Sequence, residues 1–400
     1  MKPILKLKKG RLLHFFIIIS FLWLFAVLSG LSASVVRSVV MFSFISFGIY
    51  INRNASIYNS IAISLFVLLL ANPNWLFDTG FQLSYCAVIA IVATQPLYRQ
   101  IKVSKYKAIN YFAEITLISF VAQIGVLPLS LYYFNQFPLL FLAANCIVIP
   151  LSNCILVLGI SVLAFNFVSI NIAVTFGRIL SGMIQAMNTF IEWIASFDML
   201  IIKNISFTLL FAITLYIIII TLLLWLYKKS FLHIAALLST IILFQAVFSI
   251  TIWNTKTKSE MIVFNNSYNT LISIKERNNI VVLSNDSLAF QNKKITDYRR
   301  GSFNNRLSVK PLKNILWLNN KSILIIDSTS VYSNNKKPDI LILTQSPKIN
   351  LERVLMHLTP KQVVADASNY KKHIKLWKES CLKANIPFHA TQEKGYFKID

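Results

Sequence analysis

Acidic residues are scarce in this chain: its 400 residues carry fifteen Asp and Glu against thirty-nine Lys and Arg. Cysteine is scarcer still, present only as Cys86, Cys146, Cys154 and Cys381. No two of them form a CxxC pair and three stand in apolar segments, so neither a zinc site nor a disulfide framework is indicated. Histidine is equally thin. His357, His373 and His389 in the C-terminal part are widely separated, with no HxH or HxxxH pair to chelate a metal. Asp327 and Asp366 each end an apolar strand-like run, but acids at strand ends cap loops routinely. No catalytic set, no metal site and no cofactor is therefore expected.

What the chain has in excess is oil. Hydrophobic residues make up 56% of it and its mean hydropathy is +0.62, too apolar for a soluble globular protein. The excess is uneven: residues 12–253 hold nearly all the long apolar runs, and 254–400 read as ordinary soluble sequence. This predicts a polytopic α-helical membrane domain over 1–253 and a soluble basic α/β domain over 254–400. The first part carries fifteen Lys/Arg and four acids, Asp78, Glu114, Glu192 and Asp198. The tail carries twenty-four against eleven, a surplus of +13. Such a surplus favours polyanions, nucleic acid or anionic lipid alike, and a plain lysine-rich surface explains it equally well.

A bilayer crossing needs about twenty apolar residues. Nine spans are predicted, near 12–29, 33–51, 55–71, 79–98, 112–134, 139–165, 174–196, 206–227 and 231–253. The basic start, Met1 to Arg11, resembles a signal peptide, but the apolar run after it has no clean cleavage site, so it reads as a retained first span. With the N-terminus cytoplasmic, Arg53, the Arg99-Lys102-Lys105-Lys107 loop and Lys228-Lys229 fall on the cytoplasmic side. Asp78, Asp198 and the tail then lie outside, with Arg37 and Lys203 as exceptions to the rule.

The run Leu76-Phe77-Asp78-Thr79-Gly80-Phe81-Gln82-Leu83-Ser84-Tyr85 is the most informative stretch. It sets a carboxylate, a glycine and a carboxamide at the mouth of a membrane segment, where charge is costly and marks candidate sites. Asp78 and Gln82, four apart, share a face if a helix begins at or before Asp78. A simple helix cap accounts for Asp78 just as well, and one group can be both. Other membrane segments also carry polar groups. Ser32, Ser34 and Arg37 open the second span, and Glu114, Thr116, Ser119 and Gln123 recur through the fifth at a spacing read as one polar face. Pro128 is expected to kink or end the fifth helix. Asn145 and Pro150 repeat the pairing, and Pro150 is expected to break the long sixth segment, or to make it two half-helices. Polar groups at such depth act as glue between helices or line a hydrated path, and their recurrence favours the path.

In the tail, strands are predicted at 261–264, 270–274 and 280–283, a hairpin at 315–318 and 322–326 around Asn319-Asn320-Lys321, and further strands at 339–343 and 362–365. Helices are expected near 351–358 and 370–384. This alternation is α/β in character.

Three ordered blocks resemble the competence domain of the ComEC-type DNA uptake channel family. They are Ser29-Gly30-Leu31-Ser32-Ala33-Ser34-Val35-Val36-Arg37, Asn72-Pro73 with Phe77 to Ser84, and Ala122-Gln123-Ile124-Gly125-Val126-Leu127-Pro128 with Tyr132-Tyr133-Phe134 and Asn145 to Pro150-Leu151. The resemblance covers about residues 11–230. It implies a bacterial inner-membrane channel that passes single-stranded DNA into the cytoplasm during natural transformation. The partners it implies are that DNA, membrane lipid, other competence-machinery proteins and a cytoplasmic motor, and a homo-oligomer is compatible with it. On this reading Arg37, Ser34, Gln123 and Asn145 are candidates for the DNA pathway. Asp78, Gly80, Gln82, Ser84, Glu114, Pro128 and Pro150 are candidates for shaping the pore, since a carboxylate repels DNA. The tail is similar to the metallo-β-lactamase-like domain that ends many members, through Ile323 to Asp327 and Pro338 to Thr344. Where an active domain carries its histidine and aspartate cluster, this chain reads Thr344-Gln345-Ser346-Pro347-Lys348. A degenerate, metal-free domain without hydrolase activity is expected.

The family's earlier spans, external OB-like domain and Ser-Gly-Leu-His block have no counterpart here, so an N-terminally short form is expected. Two alternatives stand beside the channel: a secondary transporter for a small anion, with Arg37 on the substrate and Asp78 or Glu114 relaying protons, and a non-conducting truncated remnant or assembly partner.

Overall fold

The computed structural model describes residues 10–50, 56–98, 104–277, 279–286, 288–304, 306–332 and 337–399. Arg53, Arg99 and Lys102, used above for orientation, lie outside the described residues. The chain folds as two units, residues 1–244 and 245–400.

Helices occur where the nine apolar runs predict them: α1 (Gly10–Leu28), α2 (Ala33–Tyr50), α3 (Ile57–Ala71), α4 (Thr79–Tyr98), α5 (Lys107–Phe134), α6 (Phe141–Asn166), α7 (Ile170–Ala195), α8 (Leu209–Tyr227) and α9 (Phe231–Thr257). An α-helix satisfies its own amides and carbonyls, the condition for an apolar run in hydrocarbon. Six of the helices, α4 to α9, contain stretches long and apolar enough to cross a membrane, while α1 to α3 offer shorter apolar stretches. Between α1 and α2 the chain reverses through Gly30, whose φ of +75° is a left-handed conformation that glycine adopts without strain.

Neither proline interrupts its helix. Pro150 lies inside an unbroken α6 and Pro128 inside an unbroken α5. Neither ends its helix or divides it in two. A proline removes one internal hydrogen bond, and in a helix of 26 or 28 residues the turns on either side hold the geometry. The face predicted on α5 also changes. At 100° per residue, Thr116, Ser119 and Gln123 fall within about 60° of each other, but Glu114 falls opposite Gln123. Accordingly Ser119 is buried while Glu114 is exposed.

Asn135 ends α5 in a left-handed conformation. Its Nδ2 donates to the carbonyls of Leu131 and Ile205, both at 3.2 Å. The strands β1 (Phe137–Pro138) and β2 (Ile201–Ile202) pair antiparallel beside it.

The second unit contains two five-stranded sheets. One has the order β12-β3-β4-β5-β6, built from β3 (Glu260–Val263), β4 (Ile272–Glu276), β5 (Asn279–Leu283), β6 (Arg306–Lys310) and β12 (Phe397–Ile399). The other has the order β11-β10-β9-β8-β7, from β7 (Ile315–Leu318), β8 (Lys321–Ile326), β9 (Ile340–Leu343), β10 (Gln362–Ala365) and β11 (Phe388–Ala390). Strands β8 to β11 run parallel, and β7 joins β8 antiparallel. Helices α10 (Lys293–Gly301), α11 (Leu351–Leu358), α12 (Lys371–Lys383) and α13 (Thr391–Lys394) accompany the sheets.

Strand side chains alternate between two faces, and here both faces are covered. Ile323, Ile325, Ile340, Ile342 and Val364 meet Met261, Val263 and Ile272 of the other sheet. The intervening Leu324, Ile326, Leu341, Leu343 and Val363 pack under α11 and α12 through Leu355, Ile374 and Trp377. Ile262, Ile280 and Val282 pack under Ile295 of α10. The result is four layers, helix, sheet, sheet and helix. Burial on both faces explains the unbroken apolar runs of β8 and β9, and each fully buried Ile or Leu stabilises by about 2 kcal/mol.

Candidate functional site

Side chains from the first and third sequence blocks reach the first turns of α4, Arg37 at Tyr85 and Tyr133 at Gln82. Asp78 precedes the first turn of that helix, and its Oδ1 accepts the Phe81 amide at 2.7 Å. The carboxylate thus satisfies one of the free amides that every helix start leaves. Gly80 makes room for it: a β-carbon there would stand 3.2 Å from Asp78 Oδ1. Replacing Asp78 by Ala should cost about 1 kcal/mol of stability, and by Asn only a few tenths. Thermal melts of the detergent-purified chain check this, and equal melting of all three would remove the cap.

Gln82 is one turn further along. Its Nε2 donates to the Leu76 carbonyl at 2.7 Å, and its Oε1 accepts the Tyr133 hydroxyl at 2.9 Å. The carboxamide therefore joins the start of α4 to the end of α5.

Another turn on, Tyr85 is buried, with its hydroxyl 2.9 Å from Ser64 Oγ of α3. Arg37 of α2 lies over the Tyr85 ring, its guanidinium carbon 5.4 Å from the centroid. Arg37 is 8% exposed, and its partners Met41 and Tyr85 belong to a buried cluster with Val36, Val40, Ile61 and Phe81. Its contacts are weak ones: Nη1 to Met41 Sδ at 3.5 Å and Nη2 to Ser38 Oγ at 3.4 Å. Nε meets no hydrogen-bond partner, and among the described residues no carboxylate forms a salt bridge with it. A buried cation held by sulfur, hydroxyl and an aromatic face can still accept an anion.

The other predicted residues are placed apart from this cluster. Ser34 is exposed on α2, with its carbonyl accepting Ser38 Oγ at 3.1 Å. Ser84, Gln123, Asn145 and Pro150 are half-buried on α4, α5 and α6, and Pro128 is buried. Tyr85, Ser64 and Tyr216 were missed as site residues. A tyrosine at membrane depth needs a partner for its hydroxyl, and that rule singles out Tyr85 and Tyr216. Tyr216 of α8 donates to the Gly125 carbonyl at 3.1 Å and to Cys86 Sγ at 3.4 Å, tying α8 to α4 and α5.

In the second unit, the loops after the parallel strands β8, β9 and β10 carry Asp327, Gln345 and Asp366. Asp327 Oδ1 accepts the amide and hydroxyl of Thr329, a local loop cap. Gln345 and Ser346 both adopt left-handed conformations. Their amides donate to Ser368 Oγ and Asn369 Oδ1 at 2.9 and 2.7 Å. Asp366 is 1% exposed, and its Oδ1 accepts from Ser368 Oγ at 2.6 Å and Asn369 Nδ2 at 2.9 Å. His373 packs between the rings of Tyr370 and Trp377. Among the described residues no three His, Cys, Asp or Glu side chains group to hold a metal ion. The loop that follows β9 is a hydrogen-bonded brace between neighbouring loops, and its residues do not fit a metal centre.

Burial pushes the Asp366 carboxyl up to about 6, against the opposing hydrogen bonds from Ser368. The folded state thus prefers the protonated form. Its contribution to stability is full below the unfolded value near 4 and is lost as pH rises through 6. Asp366→Asn should stabilise the chain at pH 7.5 by up to about 3 kcal/mol and flatten its stability between pH 4 and 7. Denaturation of the two proteins across that range checks the sign; a variant less stable at pH 7.5 refutes it.

Among the described residues, six helices fit to cross a membrane, followed by a layered α/β domain, define a multi-pass membrane protein with a C-terminal globular unit. Residues 1–229 match the family described as Competence protein, and the chain belongs to that family. Residues 261–400 match the ComEC C-terminal domain. The chain is 29% identical over 209 residues to ComE operon protein 3 of Bacillus subtilis (strain 168), a match that covers 50% of this chain and 26% of that relative. No solved structure matches the chain.

Proposed function

We propose that this chain conducts single-stranded DNA across the bacterial cytoplasmic membrane during natural transformation. The observation that carries the reading is Arg37 of the first family block, a buried cation over the Tyr85 ring with no carboxylate counter-ion among the described residues. A phosphate group would complete its coordination. Phosphate contacts are independent of sequence, as uptake of arbitrary DNA requires.

The same reading takes all nine helices as crossings, with the N-terminus cytoplasmic and the C-terminal unit external. Lys228 and Lys229 then flank α9 on the cytoplasmic side, in keeping with the excess of cations there. The four-layer arrangement of the C-terminal unit supports its likeness to a metallo-β-lactamase domain. The brace formed by Gln345, Ser346, Ser368 and Asn369 in place of metal ligands supports a domain that does not hydrolyse DNA. Its partners on this reading are single-stranded DNA, membrane lipid, other competence proteins and a cytoplasmic motor.

Deleting the gene should abolish transformation by linear DNA and leave DNA bound at the cell surface unchanged. Restoring the gene in trans should recover both marker transfer and internalised label. A deletion strain that transforms normally would exclude the reading.

A further inference from the structure

Two grooves meet at Arg277, where the C-terminal unit leaves α9. One, about 690 Å³, runs along α9 past Phe248, Ile252, Trp253 and Lys256. The other, about 610 Å³, is lined by Glu276, Arg306, Trp317 and Asn319. Arg277 borders both. The first is apolar at one end and cationic at the other.

Depth decides what such a groove meets. α9 begins at Phe231, two residues after Lys229. About twenty residues of helix cross the hydrocarbon, so the crossing ends near Ile250. Phe248 and Ile252 stand at the hydrocarbon boundary, Trp253 at the interface and Lys256 among the headgroups. Trp253 and Trp317 are 71% and 60% exposed, the placement that tryptophan favours at a membrane surface. Only two residues separate α9 from β3, so the sheet starts at the same level.

Arg277 is placed there at a conformational cost. Strands β4 and β5 pair out to Glu276 and Asn279, so Arg277 stands in the tight turn between them with φ of +52°. Asn or Gly suits that position better, so local preference does not explain the arginine. Nearby acids leave its charge in surplus. Glu260 is engaged by Lys398 at 2.9 Å and by the Tyr298 hydroxyl at 2.8 Å. Among the described residues Glu276 is the one acid that lines the groove with Arg277 and Arg306, and Lys256 adds a third cation from α9.

We propose that Arg277, Lys256 and Arg306 bind the phosphate of an anionic phospholipid headgroup, with Trp253 and Trp317 at the interface and the acyl chain along Phe248 and Ile252. The inference rests on α9 crossing the bilayer and is independent of what the membrane unit conducts. A single-stranded nucleic acid would suit the cations and Trp317, but not the apolar groove on a lipid-facing helix.

The test is native mass spectrometry of the full chain, titrated with dioleoylphosphatidylglycerol and, in parallel, with dioleoylphosphatidylcholine. The natural chain should retain the anionic lipid about tenfold more strongly, and Arg277→Asn with Lys256→Gln should erase that preference. The Arg277→Asn change relaxes the turn, so its melting temperature should hold or rise, which separates loss of binding from loss of fold. Lys371→Gln, on α12, should retain the lipid as the natural chain does. Undiminished phosphatidylglycerol binding by the double variant would overturn the site. So would loss of binding to a 20-nucleotide single-stranded DNA with lipid retention intact.

Discussion

An Arg37→Met variant should be more thermostable than the natural chain and should fail to support DNA uptake. Methionine keeps an unbranched stem beside Met41 and the Tyr85 ring and removes the charge. Arg37 is 8% exposed, and its guanidinium has neither a carboxylate nor a full set of hydrogen-bond acceptors among the described residues. A buried cation costs several kcal/mol of lost hydration, offset here by the Tyr85 ring for about 1–2 kcal/mol. Its removal should therefore stabilise by about 1–2 kcal/mol net. Under the proposed function that same residue is the phosphate contact, so transport should collapse while protein level and melting temperature hold or rise. Arg37→Lys keeps the charge but loses the planar group that stacks on Tyr85, so it should retain part of the uptake. A variant that melts lower and transports normally would assign Arg37 to the fold alone. Opposite movement of the two readouts is the signature, because a merely structural residue moves them together.

How legible these features were depends on the range of the interactions that make them. The helices follow from runs of apolar residues, and the turn at Asn319 and Asn320 from two residues that tolerate the left-handed conformation, observed at φ of 45° and 63°. The strands β8 and β9 announced themselves because both their faces are buried. By contrast α10 has few apolar residues, and it is a helix because Ile295 and Tyr298 reach the core of the first sheet. β12 is three residues long and exists because it pairs with β3, more than a hundred residues earlier. Nothing local encodes such a strand. In the membrane unit, the run from Asp78 to Tyr85 was conspicuous, but its partners were not. Gln82 finds Tyr133 and Arg37 finds Tyr85 only once α2, α4 and α5 are packed. Spacing on one helix could not reveal which residues face one another across three. It also misled at Glu114, where a sequence interval taken for one face spans opposite sides of α5.

Gly125→Ala should be the most damaging single-methyl change in the membrane unit. A β-carbon at that position would lie 2.4 Å from Ala90 Cβ and 2.8 Å from the Cys86 carbonyl oxygen, both on α4. Carbon atoms pack no closer than about 3.5 Å, so α4 and α5 would have to part by about 1 Å. The carbonyl oxygen belongs to a helix backbone and has no rotamer by which to yield. Separation would also strain what the crossing supports: the Tyr216 hydroxyl reaches both Gly125 O and Cys86 Sγ, and Gln82 meets Tyr133 farther along the same pair of helices. Overpacking of this kind costs about 3 kcal/mol or more, and the variant should aggregate in detergent or melt far below the natural chain. Ala90→Gly in the same chain removes the 2.4 Å contact but leaves the 2.8 Å one, so it should restore part of the loss, a coupling readable by a double-mutant cycle. Gly182 of α7 provides the contrast. Its β-carbon would meet nothing within 4 Å, and Ala there should be neutral or stabilise by up to about 1 kcal/mol through helix propensity. If Gly125→Ala melts like Gly182→Ala, the close approach of α4 and α5 is wrong, and with it the node that Tyr216 caps.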